Sequence, residues 1–553
     1  MKKFKIMLLV AAALIISGCS GTGDSMPSEI VIDPSSTADS EDSASSESSE
    51  SEVFVNEEIT AVIEKIAVSA ENVFVSSAPE LVVDDENAEI TLNVDYTNYI
   101  DIRTLESLLL DIEVTGGTFE LSGYVSADGG IDLTGDDAYL IVTDEDGRHK
   151  RYKFNLNRTV HDLPIVNILL EDHADVSSIQ RDVYTNMEMY IDCSGSDEFS
   201  DTVMLAGAIR GRGYSTWKLD KKPYRIRLAD SVPLMGMPKN RDWILLSNHA
   251  DKSFMRNIVA YDMGRELDFI WTGTQYPVDL FVNGEYRGVY ALGEHREISQ
   301  HRINIDDSND IDRGFVLEIG GADGDDLVNG VDYFHTYTNS ARFITFADPQ
   351  AYKLTEEQRQ FLMDYVNEAD AAIVSGEGYE EYIDVRSFCD WIIIHELTCN
   401  LDSCFRRSCY FIKDKGGKLM MGPIWDFDLA FGNFDMDNTS YNTWFTIGTT
   451  GSDSYVRVNW CNYLMNDPEF RAQLKSRWLE VRDKLLDTAY KSIDKNKAKI
   501  DASAEENFAI WDIWNKKVGY QSWATYNIQN YDGQVKYIKD FLAKRAEWID
   551  NNI

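Results

Sequence analysis

The sequence predicts an α+β fold in which a small all-β domain precedes a larger mixed domain. Apolar and polar residues alternate in short runs from about Val73 to Leu156, and further strand-like runs follow from Leu163. The pattern becomes helical after Glu356, with apolar residues at helical spacing from Val385 to Asn400. A period of two residues is typical of strands, whereas apolar residues three and four apart indicate amphipathic helices. The 553 residues, 44% of them apolar and 12% aromatic, are enough for more than one domain with a sizeable core.

Residues 1–19 have the pattern of a secretory signal peptide. A basic start is followed by an apolar run from Met7 to Ile16, which is too short to span a membrane as a helix. Because Ile16-Ser-Gly-Cys19 resembles a bacterial lipobox, we expect Cys19 to become the lipidated first residue of a protein anchored outside the cytoplasm. The alternative is a signal peptide that is cleaved nearby without lipidation. No later segment is long and apolar enough to cross a membrane.

Residues 20–68 are predicted to form a solvated tether between the membrane and the folded domains. Within them, residues 39–52 are almost entirely Ser, Glu and Asp. Such a composition cannot bury enough apolar surface to fold.

The charge of the chain argues against a nucleic-acid partner. With 94 acidic and 52 basic residues the net charge is -42, so nucleic-acid phosphates would repel the protein. The six cysteines after Cys19 lack the spacing of a zinc site, and we interpret them as buried thiols or one optional disulfide.

Residues 69–160 are predicted to form a small immunoglobulin-like β-sandwich of antiparallel strands. Strand patterns with turn residues between them occur at Glu89–Val94, Gly117–Ser122, Ala138–Thr143 and Tyr152–Leu156. Their sequences contain no group of residues typical of a catalytic or ligand-binding site, so a spacer or adhesion module is the expected role.

The larger domain, residues 161–553, begins with strands and carries a Gly-rich stretch next to a run of bases. Glycines in Arg210-Gly-Arg-Gly-Tyr-Ser215 would let backbone N–H groups approach a phosphate. Lys218, Lys221, Lys222, Arg225 and Arg227 follow, which is an unusual concentration of cations in so acidic a chain. The alternative is that these are basic side chains on the solvent-facing side of an exposed strand, with no ligand. A hairpin is predicted around Asn283-Gly284, and a second one between residues 410–413 and 418–421.

Asp426 and Asp428 lie two residues apart between bulky apolar neighbours in the stretch from Met421 to Asn433. In an extended segment both carboxylates would project to the same side and repel each other unless a cation lies between them. Mg2+ and Mn2+ prefer such oxygen ligands and often share them with phosphates. A metal with a phosphorylated ligand is therefore one hypothesis, and two solvent-facing acids in a loop are the alternative.

Taken together, these stretches resemble the spore coat protein H (CotH) kinase family, secreted bacterial proteins with an atypical protein-kinase fold. The resemblance covers roughly residues 163–550 and excludes the tether and the β-sandwich. It implies that residues 161–553 form a two-lobed, atypical protein-kinase-like domain. The matching stretches, in the order of the family, are Arg210-Gly-Arg-Gly-Tyr-Ser, Lys222-Pro-Tyr-Arg-Ile-Arg-Leu, Leu245-Leu-Ser-Asn-His-Ala-Asp-Lys, Met255-Arg-Asn, Phe281-Val-Asn-Gly-Glu-Tyr-Arg-Gly-Val-Tyr, Asn400-Leu-Asp-Ser403 and Pro423-Ile-Trp-Asp-Phe-Asp-Leu-Ala-Phe-Gly432.

The resemblance also implies roles for individual residues. Lys222 would hold the nucleotide phosphates, Asp402 would orient the acceptor hydroxyl, and Asp426 with Asp428 would bind the metal. Arg210 in the Gly-rich stretch is a further candidate for nucleotide binding. Other candidates lie in the matched stretches, each with a structural cap or ion pair as the alternative role: Asn248, Lys252, Arg256 and Glu294.

The sequence departs from the kinase pattern at one position. A metal-binding Asn is expected after the catalytic-type Asp, but the region reads Arg406-Arg-Ser-Cys-Tyr410, with Ser408 or Cys409 at that place. The metal site would then be weaker, or Asp428 would complete it.

The leading hypothesis is an extracytoplasmic protein kinase, anchored to the membrane through Cys19. It would transfer phosphate from ATP, with Mg2+ or Mn2+, to Ser or Thr of secreted or surface proteins. The alternative is a catalytically weak or inactive kinase-like surface scaffold. A third possibility, carbohydrate binding, rests only on the many Trp and Tyr residues, which a large core accommodates without it.

Overall fold

The computed structural model describes residues 54–72, 79–160, 162–320, 327–336, 343–435, 442–449 and 456–553. The predicted signal peptide, Cys19 and residues 20–53 of the predicted tether lie outside these residues. No helix within the described ranges is long and apolar enough to cross a membrane. The six cysteines after Cys19 are all buried and unbridged.

The N-terminal part is built from two sheets on one apolar core. A two-stranded sheet pairs β1 with β4, and a five-stranded sheet has the order β2-β3-β7-β6-β5. Ile90, Leu92, Leu140 and Val142 alternate inward and are fully buried in the shared core. The elements are β1 (Val62–Val68), β2 (Leu81–Asp84), β3 (Glu89–Val94), α1 (Ile102–Leu105), β4 (Leu110–Thr115), β5 (Gly117–Ser122), β6 (Tyr139–Asp144) and β7 (His149–Arg158).

Two features of this part differ from the sequence prediction. Strand β1 lies inside the stretch predicted as tether, because its apolar residues cover the same core as β4 does. Strands β3 and β7 pair in parallel, with Ile90 opposite Phe154, whereas an antiparallel arrangement was predicted. A hairpin forces antiparallel pairing only between strands joined by a short turn, and β4, β5 and β6 lie between these two along the chain.

The next part is a seven-stranded closed barrel with the order β10-β11-β12-β14-β13-β8-β9. The predicted hairpin is present as β13 and β14, with Asn283 and Gly284 both at positive φ in the turn, as a tight two-residue turn requires. The barrel closes where β13 pairs in parallel with β8. The elements are β8 (Ile165–Leu170), β9 (Thr185–Asp192), β10 (Leu205–Gly211), β11 (Tyr224–Leu234), β12 (Met237–Leu246), α2 (Arg256–Gly264), β13 (Gln275–Val282) and β14 (Glu285–Glu294).

The C-terminal part combines a five-stranded sheet, ordered β16-β17-β15-β18-β19, with helices. Strands β18 and β19 form the second predicted hairpin. The predicted helix from residue 385 is α4, which begins after Asp384, whose side chain accepts from the Ser387 backbone N–H. The elements are β15 (Phe315–Ile319), β16 (Tyr333–Phe334), β17 (Ile344–Asp348), α3 (Glu356–Ser375), α4 (Val385–Thr398), β18 (Cys409–Lys413), β19 (Leu419–Met421), α5 (Trp460–Leu464), α6 (Pro468–Ile510), α7 (Trp523–Tyr526) and α8 (Tyr531–Asn552).

Helix α6, 43 residues long, joins the barrel to the C-terminal helices. The Asn507 side-chain oxygen accepts from the buried Lys221 ammonium at 2.7 Å and from the Val289 backbone N–H at 3.0 Å. The Ser503 hydroxyl donates to Asp279 of β13 at 2.6 Å. These buried polar contacts stabilise one relative placement of barrel and helices, because breaking any of them would leave an unsatisfied group.

Candidate active site

The candidate site is a cavity of about 240 Å³ between the barrel and the C-terminal sheet, called the first cavity below. It lies at the end of the barrel where β10 and β12 finish and β11 begins. The barrel contributes the loop Arg212–Thr216 and the segment Leu246–Ala250. The C-terminal part contributes residues from β15, from β18 and from the loops before β18 and after β19: Glu318, Gly320, Asp402, Arg407, Ser408, Tyr410, Trp425, Asp426 and Asp428.

A second cavity of about 370 Å³ adjoins the first. The two share the three acids Asp402, Asp426 and Asp428. The second cavity alone reaches Lys218, Arg406 and residues of the segment before α7. The acids therefore lie where two pockets meet, so two different molecules can approach the same carboxylates.

Polar side chains between the two acid-bearing segments bring the acids together. The Asn400 amide donates to the Asp426 carbonyl oxygen at 3.1 Å, and the Ser403 hydroxyl donates to the Trp425 carbonyl oxygen at 3.0 Å. From the barrel side, Asn257 of α2 accepts from the Phe427 backbone N–H at 2.6 Å. The matched stretch Asn400-Leu-Asp-Ser403 thus serves to dock the loop of Asp402 on the loop of Asp426.

Burial and mutual repulsion raise the pKa of two of these acids. The pKa of Asp426 rises to about 6, chiefly because burial disfavours its charge and secondly because of Asp402, although Arg212 and the Ser408 hydroxyl oppose the shift. The pKa of Asp428 is raised well above its usual value by burial, then by Asp426 and Asp402. A buried set of repelling carboxylates is stabilised by a bound cation.

The sequence predicts an extended backbone that places the Asp426 and Asp428 carboxylates on the same side. In the structure both carboxylates line the cavities, but the backbone at Asp426 is not extended. The backbone of Asp426 adopts the left-handed region, with φ of 67°. Two other residues that line the first cavity do the same, Asn248 with φ of 46° and Ser408 with φ of 50°. Non-glycine residues adopt this region infrequently, and such strain concentrates at functional sites. The backbone conformation at Asp426 is therefore part of how both carboxylates reach the cavities.

Ser408 is one of the two residues considered for the place where the kinase pattern has Asn. Its hydroxyl donates to the Asp426 Oδ2 atom at 3.1 Å. Cys409, the other residue considered for this place, is buried in β18. The Arg406 guanidinium donates to the Asp402 Oδ1 atom at 2.7 Å.

Lys222, predicted to hold phosphate, does not line either cavity. Its ammonium donates to the Trp217 carbonyl oxygen at 2.8 Å and lies over the Trp217 ring. Arg212 lines the first cavity instead, and within the described ranges its side chain makes no hydrogen bond or ion pair. Burial lowers the pKa of Arg212, and nearby Asp426 opposes this. The Gly-rich stretch contained this residue, but its spacing did not distinguish Arg212 from Arg210.

Of the remaining nucleotide candidates, only Asn248 lines the first cavity. The Arg210 guanidinium donates to the Arg181 carbonyl oxygen at 2.8 Å on the barrel. Arg256 is fully buried in an ion pair with Asp251. Glu294 accepts from the Thr274 backbone N–H at 2.9 Å. These three side chains therefore contact other groups of the protein, and for Arg256 and Glu294 such contacts match the structural role that the sequence had left open as an alternative.

The donor set fits a divalent metal held jointly by the protein and a phosphate. Within the described ranges no three His, Cys, Asp or Glu residues form a metal-binding group. Two half-buried carboxylates, Asp426 and Asp428, and the Ser408 hydroxyl are hard oxygen donors that line the first cavity. Mg2+ in phosphate-processing sites is commonly bound by one or two carboxylates together with substrate phosphates and water, so a full protein cage is not required.

The structure therefore combines a β-barrel with a mixed α/β part, and an acid-lined cavity with an arginine lies between them. The family model described as CotH kinase protein matches residues 209–549, more than half of the chain. The chain therefore belongs to the CotH kinase protein family. A search of curated proteins finds no match to it.

Proposed function

We propose that this chain is an ATP-dependent protein kinase that phosphorylates Ser or Thr of secreted or surface proteins. The barrel and the C-terminal part would correspond to the two lobes of the kinase fold, with ATP in the first cavity and the acceptor entering through the second. The observation that carries the proposal is the meeting of Asp402, Asp426 and Asp428 with Arg212 where the two cavities join.

Each of these residues has a distinct task in phosphoryl transfer. Asp402, oriented by its hydrogen bond from Arg406, accepts the hydroxyl proton of the acceptor. Arg212 binds phosphate oxygens and stabilises the negative charge on the transferred group. Asp426 and Asp428 would hold Mg2+ or Mn2+, which neutralises phosphate charge when bound. Ser408 orients the Asp426 carboxylate toward that site.

The location is part of the proposal and rests on the sequence. The signal pattern of residues 1–19 and the lipobox at Cys19 support anchorage to the membrane on its extracytoplasmic side. The net charge of -42 supports protein substrates and ATP, with its metal, over nucleic acid.

One observation favours the alternative of a weakly active or inactive scaffold. The lysine that the family resemblance assigns to the phosphates, Lys222, is directed to the Trp217 carbonyl oxygen. A scaffold would keep the fold without needing a charged contact to phosphate. If the chain is a kinase, Arg212 makes the charged contact to phosphate in place of Lys222. The two functions therefore differ in whether Arg212 binds phosphate.

Phosphate transfer from labelled ATP to a mixture of secreted proteins tests the proposal directly. The full chain is assayed with Mg2+ or Mn2+ beside Asp402→Asn and Asp426→Asn, and beside Asp483→Asn as a matched control on the exposed face of α6. We expect metal-dependent labelling that the first two substitutions reduce by at least about a hundredfold and the control leaves intact. Absence of both labelling and metal-dependent ATP binding would favour the scaffold.

A further inference from the structure

The second cavity carries cations that the proposed chemistry does not use. Lys218 and Arg407 line it, both are exposed, and neither makes an ion pair within the described ranges. The Lys218 ammonium lies 4.4 Å from the centroid of the Tyr214 ring, and the Arg407 guanidinium carbon lies 5.5 Å from the same centroid. One aromatic ring thus contacts two cations, of which Arg407 also lines the first cavity.

Two neighbouring cations without an acidic partner are unexpected in this protein. Acids outnumber bases by 94 to 52 over the whole chain, and many exposed lysines and arginines elsewhere are paired with Asp or Glu, such as Lys491 with Asp487. Like charges held together destabilise a surface unless an anion binds between them. The side chains of Lys218 and Arg407, called the cation pair below, therefore indicate a binding site for a negatively charged ligand at the acceptor cavity.

Arg406 also lines the second cavity but differs from the cation pair. Its guanidinium donates a hydrogen bond to Asp402 at 2.7 Å, so we do not include it among the cations that would bind the acceptor. An acceptor whose hydroxyl reaches Asp402 would place its flanking residues near the exposed rim, where Lys218, Arg407 and the partly exposed Tyr214 lie. Acidic residues beside the acceptor serine are the groups that this rim would bind.

The chain itself contains a segment with that chemistry. Residues 39–52 hold seven serines, six acidic residues and one alanine, with no Lys or Arg among them. We propose that the acceptor is this segment of a second copy of the chain, which the cation pair binds so that the kinase phosphorylates its own tether in trans. This inference rests on the proposed kinase function and adds a substrate class to it.

The transfer balances without any further reactant. A serine Oγ atom forms a bond to the γ-phosphorus of ATP, and the bond from that phosphorus to the β–γ bridging oxygen breaks, with its electron pair leaving on ADP. The hydroxyl proton passes to the Asp402 carboxylate. General repulsion between two acidic molecules does not prevent the encounter, since charges farther apart than about 8 Å are largely screened at physiological salt.

Binding of synthetic peptides to the full chain is the first test. A labelled peptide of residues 39–52 is compared by fluorescence anisotropy with a peptide in which every Asp is Asn and every Glu is Gln, so that all serines remain. We expect the acidic peptide to bind at least about tenfold more tightly at low salt. The double variant Lys218→Gln/Arg407→Gln should lose this preference, whereas Lys491→Gln/Lys536→Gln, which removes two exposed helix lysines, should keep it.

The second test asks whether the segment is phosphorylated in trans. An Asp402→Asn full chain is offered as acceptor to the unsubstituted enzyme with ATP and Mn2+, and phosphate is located by mass spectrometry. We expect phosphoserine within residues 39–52 of the Asp402→Asn chain, and a ratio of kcat/KM for the acidic over the neutral peptide that falls about tenfold in the cation-pair variant.

The outcomes separate this inference from the function on which it rests. Equal binding of both peptides, or a cation-pair variant that raises the KM for ATP while keeping the peptide preference, would overturn the assignment of the rim to an acidic acceptor. Labelling of other secreted proteins but not of the Asp402→Asn chain would overturn only the tether as acceptor. Absence of transfer to every acceptor would overturn the kinase function and the transfer step together.

Discussion

Replacing Asp426 by Asn should make the metal-free protein more stable while abolishing its activity. Folding buries Asp426 next to Asp402 and Asp428, so its pKa rises from an ordinary value of 3.8 to about 6. A raised carboxyl pKa means that the folded state binds the proton more tightly than the unfolded state does. Folding is therefore penalised once the pH exceeds the unfolded value, and the penalty is complete above about pH 6.

The size of the change in unfolding free energy follows from the difference between the folded and unfolded pKa values of Asp426. At about 1.4 kcal/mol per pKa unit, the difference between 3.8 and about 6 corresponds to about 3 kcal/mol. Asp428 remains buried beside Asp402 in the variant, so we expect to recover about 1 to 3 kcal/mol of unfolding free energy. Asn is the suitable substitution because it tolerates the left-handed backbone at this position, where Ala would add strain.

Thermal unfolding in a chelating buffer measures the change. For a chain of this size we expect the midpoint of Asp426→Asn to exceed that of the unsubstituted protein by roughly 2 to 5 °C at pH 8. The gap should shrink as the pH falls from 6 toward 4 and approach zero below the unfolded value of 3.8, where the Asp426 carboxyl becomes protonated in both states. Saturating Mg2+ or Mn2+ should raise the midpoint of the unsubstituted protein and have little effect on the variant.

Two results would refute this reasoning. The first is a variant that is less stable than the unsubstituted protein at pH 8 without metal, and the second is a gap of equal size at pH 4 and pH 8. Asp483→Asn, on an exposed side chain of α6, is the matched control and should change the midpoint by less than about 1 °C.

The remaining predictions concern individual side chains of the same domain. Arg212→Gln should weaken ATP binding about 10- to 100-fold by calorimetry, since a charged hydrogen bond contributes roughly 1.5–3 kcal/mol. Lys222→Gln should have a smaller effect because that ammonium bonds the chain's own backbone, and the opposite order would contradict the placement of the phosphates. Ser408→Asn should lower the Mn2+ concentration for half-maximal activity, whereas Ser408→Ala should raise it, because Asn adds a metal-binding oxygen and suits a φ of 50°. Arg256→Met should cost about 3–5 kcal/mol in urea unfolding by leaving Asp251 buried without its partner. Adding Asp251→Asn should recover part of that loss, and a stable Arg256→Met chain with weakened ATP binding would instead indicate a role in the site.

Local features of the fold followed from the sequence because their causes lie within a few residues. The β13–β14 turn needs positive φ at two successive positions, and Asn283-Gly284 provides it. Helix α4 was predicted from apolar residues at helical spacing between Val385 and Asn400. The pairing of β3 with β7 and of β8 with β13 could not be predicted in this way, because no short connection relates the strands.

In the candidate site, the sequence alone predicted which three acids lie together. Asp402, Asp426 and Asp428 followed from residue type, spacing and family resemblance, and all three meet in the structure. Only the tertiary structure decided which cation faces them: Arg212 does, whereas the predicted Lys222 bonds the Trp217 carbonyl oxygen. The physical reason is that the direction of a side chain at a loop depends on packing between segments about 200 residues apart, which no local pattern records.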